Sequence, residues 1–367
     1  MNQFYEVTAI AADEKELKRV AEKYGVKHHH VEMTRTISPL RDLVAVWKLY
    51  CFLRKEKPQI VHSHTPKAGI VGMTAAYFAG VPNRFHTVAG LPLLETTGFK
   101  RVVLNWVEKL TYHFATKVYP NSFEMEKIII KEKFCTAEKL HVIGNGSSNG
   151  IDVNYFNKDE VAIADQQTLK TQLGIQENDF VFIFVGRLVK DKGINELITA
   201  FKNLNQSLRN AALKQSLKLL LVGPLEQELD PLLPDTLAVI QSHPQIITVG
   251  FQEDVRLYFS ISNCLVFPSY REGFPNAVLQ AGAMSLPSIV TNINGCNEII
   301  SDGVNGLIIP VKNEKDLEAA MIKITDSSEV YEKMKVQSRK KVVDRYSQQK
   351  VWDALLREYD KATEKID

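Results

Sequence analysis

Short runs of β-branched and apolar residues alternate with segments of helical period along almost the whole chain. A strand buried on both faces reads as a continuous apolar run, and a parallel neighbour is reached only through a long crossover, so this alternation is what βαβ units require. In the second half FVFIFV, LKLLLVG, IITVG, CLVFPS, PSIVTN and GLIIP, each closed by a turn signal, predict a six-stranded Rossmann-like domain. In the first half QIVH (Gln59 to His62) and NRFHTVA read as strands. Ser38 and Pro39 start a helix through LRDLVAVWKLYCFLRKEK, with Asp42 near its beginning and Arg54, Lys55 and Lys57 near its end, and Pro58 stops it. A small-residue helix follows HTPKAG and ends at Gly80. His28, His29 and His30 are assigned to a solvated loop.

A chain of 367 residues exceeds what one ordinary core serves. The expected fold class is α/β, with two doubly wound parallel-sheet domains facing a cleft. The glycine-, serine- and asparagine-rich stretch VIGNGSSNGID (Val142 to Asp152) reads as the crossing between them. The expected boundaries are 1–152, 153–345 and a C-terminal helix, 346–367, packing back on the N-terminal domain. Lys and Arg total 45 against 43 Asp and Glu, so the net charge of +2 gives no general attraction to nucleic acid. Cys51, Cys135, Cys264 and Cys296 are scattered without metal-ligand spacing, which fits a reducing cytosol. Neither an export signal nor an apolar run of membrane-spanning length is found, so a cytoplasmic location is expected.

Open parallel sheets bind ligands beyond the carboxyl ends of their strands, which directs attention to the loops after FVFIFV and CLVFPS. The first, GRLVKDKG (Gly186 to Gly193), lets the backbone approach a ligand closely and places Arg187 and Lys192 beside the next helix, an arrangement suited to diphosphate. The second, SYREGFPNAVLQAGAM (Ser269 to Met284), sets Glu272 before a helix whose first turn contains Pro275. Gly273, Phe274, Asn276 and Ala277 offer backbone N–H groups, and Gln280 follows one turn deeper on the same face as Asn276 and Ala277. Taken singly, the first loop reads more readily as a solvated basic turn and Glu272 as a surface acid at a helix dipole.

Taken in order, GRLxxDKG, LLLVGPLEQEL, GFQEDVR, PSYREGFPNAVLQAGAMSLPSIVT and NEIISDGVNGLIIP resemble the retaining GT-B glycosyltransferases of family four, and HSHTPKAG with NGID extends the likeness into the first half. The resemblance implies transfer of a sugar from a nucleotide diphosphate, expected to be a UDP-sugar, with retained anomeric configuration. It implies no bound metal or other cofactor, and the sequence has no D-x-D pair. By matching position Arg187 and Lys192 would hold the leaving diphosphate, Glu272 would orient the donor sugar and Gln280 would meet the ribose. Gly186, Gly273, Phe274, Asn276 and Ala277 complete the expected donor site, Asn149, Gly150 and Asp152 match the hinge, and Glu298 matches a family glutamate.

Three departures accompany the likeness. Gln280 stands where the family usually carries a second glutamate. The family's histidine-glycine pair is Ala89-Gly90 here, with His86 nearby. By the same resemblance FYEVTAIA matches the family's second strand, so the N-terminal domain is expected to lack the first strand and helix.

SPLRDLVAVWKLY, HSHTPKAG, TVAGLPLLETTG and GNGSSNGID resemble bacterial enzymes that extend lipid-linked saccharides for capsule, O-antigen or exopolysaccharide. The implied acceptor is a saccharide on polyprenyl diphosphate, with His62, His64, Thr65, Lys67 and Gly90 as acceptor-side candidates. Helices over Leu40–Lys57 and Lys100–Lys117 combine Trp47 or Trp106 with several basic residues, as peripheral helices at the inner face of a cell membrane do. The same residues are also compatible with helices that simply pack on a sheet. Two other readings stay open: a sugar-nucleotide epimerase on a similar fold, and a catalytically weak subunit that binds nucleotide sugar.

Overall fold

The computed structural model describes residues 1–34, 38–91, 93, 96–210, 216–228 and 230–364. Pro92, Leu94 and Glu95 of the TVAGLPLLETTG motif, Leu229 of LLLVGPLEQEL and residues 365–367 of the C-terminal helix segment lie outside the described residues. The chain forms two compact units, one of Met1–Ser148 with Val351–Asp367 and one of Asn149–Lys350.

The first unit runs β1 (Thr8–Ala11), α1 (Glu14–Tyr24), β2 (Lys27–His30), α2 (Pro39–Glu56), β3 (Ile60–Ser63), α3 (Pro66–Ala79), β4 (Asn83–Val88), α4 (Gly98–Phe114), β5 (Lys117–Pro120) and α5 (Phe123–Lys131). Its strands form two parallel sheets, β1–β2 and β3–β4–β5. Local chemistry sets the helix ends. Thr65 caps α3 by accepting from the Ala68 N–H, Pro66 opens it, and Gly80 closes it at φ 75°, a conformation a glycine adopts without strain. Ser38 precedes α2 without a side-chain capping bond; its own N–H donates to Asp42 Oδ2 at 3.4 Å.

His28, His29 and His30 are not loop residues. They pair with Ala9, Ile10 and Ala11 in the β1–β2 ladder. Such polar residues are tolerated because β2 is an edge strand, mostly exposed, and the His29 ring stacks on Phe52 at 3.9 Å.

The second unit runs α6 (Ile163–Gln172), β6 (Phe180–Val185), α7 (Ile194–Asn210), β7 (Leu217–Val222), α8 (Pro234–Ser242), β8 (Ile246–Thr248), α9 (Arg256–Ser260), β9 (Cys264–Phe267), α10 (Asn276–Ala283), β10 (Ser288–Thr291), α11 (Cys296–Ile299), β11 (Gly306–Ile309), α12 (Glu314–Asp326) and α13 (Ser328–Tyr346). A last helix, α14 (Gln348–Thr363), ends the described chain. All six sequence-expected strands are present, in the parallel order β8–β7–β6–β9–β10–β11. Numbered within the unit this is 3-2-1-4-5-6, the Rossmann order. Phe182, Leu219, Leu220, Leu265 and Ile289 are among its fully buried side chains, and they belong to one continuous core. Each contributes about 1.5–3 kcal/mol through burial.

The crossing segment is pinned from within this unit. Ile151 N–H donates to Tyr346 O, and Gln348 N–H donates to Ile151 O. Gly150, at φ 65°, lies so close that a Cβ would sit 2.8 Å from Tyr346 O. Asp152 accepts from the Asn154 and Tyr155 N–H groups, a turn of the Asx kind.

Candidate active site

The order of the six-stranded sheet reverses between β6 and β9, and both chemistry-bearing loops leave the carboxyl ends of these two strands. Glycines let the backbones close up there. A Cβ on Gly223 would lie 1.9 Å from Gly186 O, and one on Gly193, at φ 70°, would lie 2.2 Å from Pro268 O. The turn Lys190–Lys192 is a single 3-10 turn that ends at Gly193 and delivers Lys192 toward the β9 loop.

Lys192 Nζ donates to Glu272 Oε1 at 2.5 Å, the two side chains being 17% and 15% exposed. Arg187 Nη1 meets Glu226 Oε2 at 3.0 Å in a much more exposed pair. Around them Arg271 pairs with Asp191 at 2.8 Å, and the Tyr270 hydroxyl donates to Glu196 at 2.7 Å. The Glu272 loop is held from the turn after β10: Asn294 Nδ2 donates to Glu272 O at 3.2 Å and Gly273 O at 2.6 Å. Gly295, at φ 75°, approaches so closely that a Cβ would lie 2.5 Å from Gly273 O.

Pro275 occupies the N-cap position of α10 rather than its first turn, so the helix begins at Asn276. The reason is the missing N–H and fixed φ of proline, which favour the entry to a helix. Asn276 is exposed, Ala277 and Gln280 are half-buried, and Phe274 packs on Tyr346 with ring centroids 5.4 Å apart. Glu298 lies in the short helix α11, where its backbone O accepts from the Tyr346 hydroxyl at 3.0 Å. Nearby Cys296 is fully buried, and burial pushes its thiol far above the ordinary range.

In the first unit His62 and His64 stack at the end of β3, 4.2 Å between centroids. His62 is fixed from both ring nitrogens, by the Tyr359 hydroxyl at 2.6 Å and Thr87 Oγ1 at 2.8 Å, and burial keeps it neutral by lowering its pKa well below the usual histidine range. Thr65 is the α3 cap, and Lys67 is held by both carboxylate oxygens of Asp42, at 2.6 and 2.7 Å. Gly90 has open space where a Cβ would be. His86 is buried against Ser63 Oγ at 2.8 Å, with Gly69 packed on its ring, and burial pushes its pKa down to about 3.

Sequence reasoning singled out Arg187, Lys192 and Glu272 but not Glu226, which pairs with Arg187, Asp191, which pairs with Arg271, or Asn294, which holds the Glu272 loop. Asn294–Gly295 is a turn dipeptide that could have been singled out, whereas Glu226 and Asp191 carry no local signal.

This architecture is that of the GT-B glycosyltransferases. The crystal structure of HepE from Anabaena in complex with UDP-glucose superposes with a TM-score of 0.79 at 19% identity, over 96% of this chain and 91% of that one. Family models describe residues 1–146 as a glycosyl transferase 4-like domain and residues 165–341 as glycosyl transferases group 1. The capsular polysaccharide biosynthesis glycosyltransferase CapM of Staphylococcus aureus is 33% identical over 350 residues, 95% of this chain and 88% of that protein. An Escherichia coli UDP-Gal:alpha-D-GlcNAc-diphosphoundecaprenol alpha-1,3-galactosyltransferase is 32% identical over 86% of this chain and 78% of its own length. The chain belongs to the group 1, family four glycosyltransferases.

Proposed function

We propose that this glycosyltransferase moves a sugar from a UDP-sugar to a saccharide carried on polyprenyl diphosphate, with retention at the anomeric carbon, in surface polysaccharide synthesis. The observation that carries this reading is the meeting of Lys192 and Glu272 at the switch point of the second sheet, with Arg187 on the same loop as Lys192. Without donor the lysine and carboxylate satisfy each other. An incoming diphosphate offers Lys192 a stronger partner and frees Glu272 for the sugar hydroxyls. The exposed Arg187–Glu226 pair contributes under about 1 kcal/mol and is readily exchanged.

As the bond from the anomeric carbon to the phosphate oxygen breaks, its electron pair leaves with the diphosphate. Arg187 and Lys192 are placed to stabilise that charge, and the acceptor hydroxyl oxygen bonds to the anomeric carbon while its proton passes to an oxygen of the departing diphosphate. In this reading the two cations neutralise the leaving group, so the donor is the only co-substrate and no divalent cation takes part. The names of CapM and of the E. coli galactosyltransferase, the latter acting on a diphosphoundecaprenol-linked sugar, support the acceptor class.

The first unit has a surface suited to such an acceptor. On α2, Leu40, Leu43, Val44 and Trp47 are exposed, and on α4 Phe99, Val102, Trp106 and Leu110 are exposed. Arg41, Lys48, Lys100 and Lys109 are also exposed on these helices, while Asp42 is engaged by Lys67 and Glu108 is buried. Apolar and basic residues together suit the headgroup region of an anionic bilayer, which would place the enzyme at the inner face of the membrane. No helix among the described residues is long and apolar enough to cross a membrane.

The test is product analysis with UDP-sugars and a polyprenyl-diphosphate saccharide. Release of UDP with an α-linked product from an α-linked donor is expected. An epimerised donor without transfer would overturn the reading, and binding without turnover would make the chain a non-catalytic subunit.

A further inference from the structure

Lys192 ends a single turn, Lys190–Lys192, whose entry has no local cap. Val189 stands at the N-cap position and carries no side-chain oxygen, so the first N–H groups of the turn need acceptors from elsewhere in the chain. Asp230 supplies them from 39 residues away. Its Oδ2 accepts from the Asp191 N–H at 2.6 Å, and its backbone O accepts from the Lys190 N–H at 3.3 Å. The first of these is of the short, charge-assisted kind, roughly twice as strong as a bond between neutral groups.

Asp230 lies between β7 and α8, and the segment around it is itself held in place. On its far side Asn195, buried in α7, accepts through Oδ1 from the Leu233 N–H at 3.1 Å. On its near side Pro224 O accepts from the Leu188 N–H at 2.8 Å. Asp191 then carries the restraint across to the second loop. Its backbone O accepts from the Tyr270 N–H at 2.9 Å and its Oδ2 pairs with Arg271 at 2.8 Å, and these are the two residues just ahead of Glu272. Lys192 therefore stands between two fixed neighbours, Asp191 tied to Asp230 and Gly193 packed against Pro268 O.

We infer that Asp230 is a positioning residue for sugar transfer. It caps the turn Lys190–Lys192 from outside and so sets where the Lys192 ammonium stands relative to Glu272 and to the departing diphosphate. It acts through the Asp191 backbone rather than on the substrate. The inference rests on the assignment of Lys192 to the diphosphate. Its physical basis is that a displacement of about 1 Å at a reacting centre can cost on the order of a hundredfold in rate.

The test joins amide exchange on the full chain with a double-mutant cycle between Asp230 and Lys192, using a UDP-sugar and a polyprenyl-diphosphate saccharide and referring rates to folded protein by circular dichroism. Exchange at the Asp191 amide is expected to speed up by about tenfold or more in Asp230→Ala and to stay near its original rate in Asp230→Asn, whose side-chain oxygen caps as well as a carboxylate. Asp230→Ala should lower kcat by about tenfold or more with a smaller change in the donor KM, since a displaced Lys192 meets transition-state charge poorly. Asp230→Asn should recover most of that loss. In a Lys192→Ala background, Asp230→Ala should lower kcat by less than about twofold, because the group it positions is gone.

A residue that serves stability alone would shift the unfolding midpoint and leave kcat per folded enzyme in place, and that result overturns the inference. So does an equally large loss with and without Lys192, or unchanged exchange at Asp191 in Asp230→Ala. Near-normal kcat in Lys192→Ala would remove the diphosphate assignment and this inference with it, whereas an impaired Lys192→Ala beside a fully active Asp230→Ala removes only the role of Asp230.

Discussion

Lys192 and Glu272 are 80 residues apart in sequence and joined at 2.5 Å, one from the loop after β6 and one from the loop after β9. The pair bridges the point where the strand order of the second sheet turns, so the two groups assigned to the leaving diphosphate and to the donor sugar hold each other before either ligand arrives. Removing either partner leaves a well-covered charge alone, which is why substitutions here need a stability control.

Lys192→Ala and Arg187→Ala should each lower kcat by roughly 10²–10³-fold, the range for loss of one group that meets charge in the transition state. Steady-state kinetics with circular dichroism checks this. Lys192→Ala combined with Glu272→Gln removes the stranded carboxylate and should recover stability but not turnover. Near-normal rates in the single variants would end the diphosphate assignment.

Glu272→Gln keeps the size of the side chain but loses its charge. We expect kcat to fall by about tenfold or more, because sugar orientation sets the reactive geometry. An unchanged kcat would make Glu272 a structural acid whose purpose is to hold Lys192.

Gly193→Ala should destabilise the second unit by more than about 2 kcal/mol in denaturant unfolding, since it combines a strained backbone with a steric conflict. The conflict is with Pro268 O, 2.2 Å from the added Cβ, and backbone cannot move aside as a side chain can. Gly90→Ala, which meets open space, is the matched control and should change stability by less than about 0.5 kcal/mol.

Burial holds His62 well below the ordinary histidine pKa and His86 at about 3. In the unfolded chain both bind protons below about pH 6.5, so the unfolded state then carries more protons than the folded one. Their contribution is therefore intact above pH 6.5 and declines as pH falls toward about 3, with a limiting slope of about 1.4 kcal/mol per pH unit for each group. Unfolding free energies at pH 7, 6, 5 and 4 measure it, and His86→Gln should remove one proton from the slope. A flat profile would contradict neutral burial of both rings.

Trp47 and Trp106 are 65% and 71% exposed, so replacing both with glutamate should cost little stability. Flotation with vesicles rich in anionic lipid should then show binding weakened by about tenfold or more. Equal flotation of both proteins would remove the membrane reading of α2 and α4.

Much of the fold was legible because burial on both faces writes a strand as an unbroken apolar run. All six strands of the second sheet could be read that way, from Phe180–Val185 to Gly306–Ile309. β2 escaped because an exposed edge strand needs no apolar pattern, and three histidines look like a loop until Ala9, Ile10 and Ala11 are seen beside them. Pro275 was placed one residue too deep in α10, since a proline at a helix entry fits the cap and the first turn almost equally. In the site Gly186–Gly193 and Glu272–Gln280 stood out through local composition, while the grip of Asn294 on the Glu272 loop did not.

The sequence alone determined the alternation of strand and helix, the glycine positions that permit close backbone approach, and the family likeness, because these are local or ordered along the chain. Only the tertiary structure decided which charge meets which: Lys192 with Glu272, Arg187 with Glu226 across 39 residues, and Lys67 with Asp42 across 25. It alone also showed that β1 and β3 stand apart with a cavity between them. Short-range steric preferences fix the first kind of information, whereas ion pairs and strand neighbours depend on how distant segments close on one another.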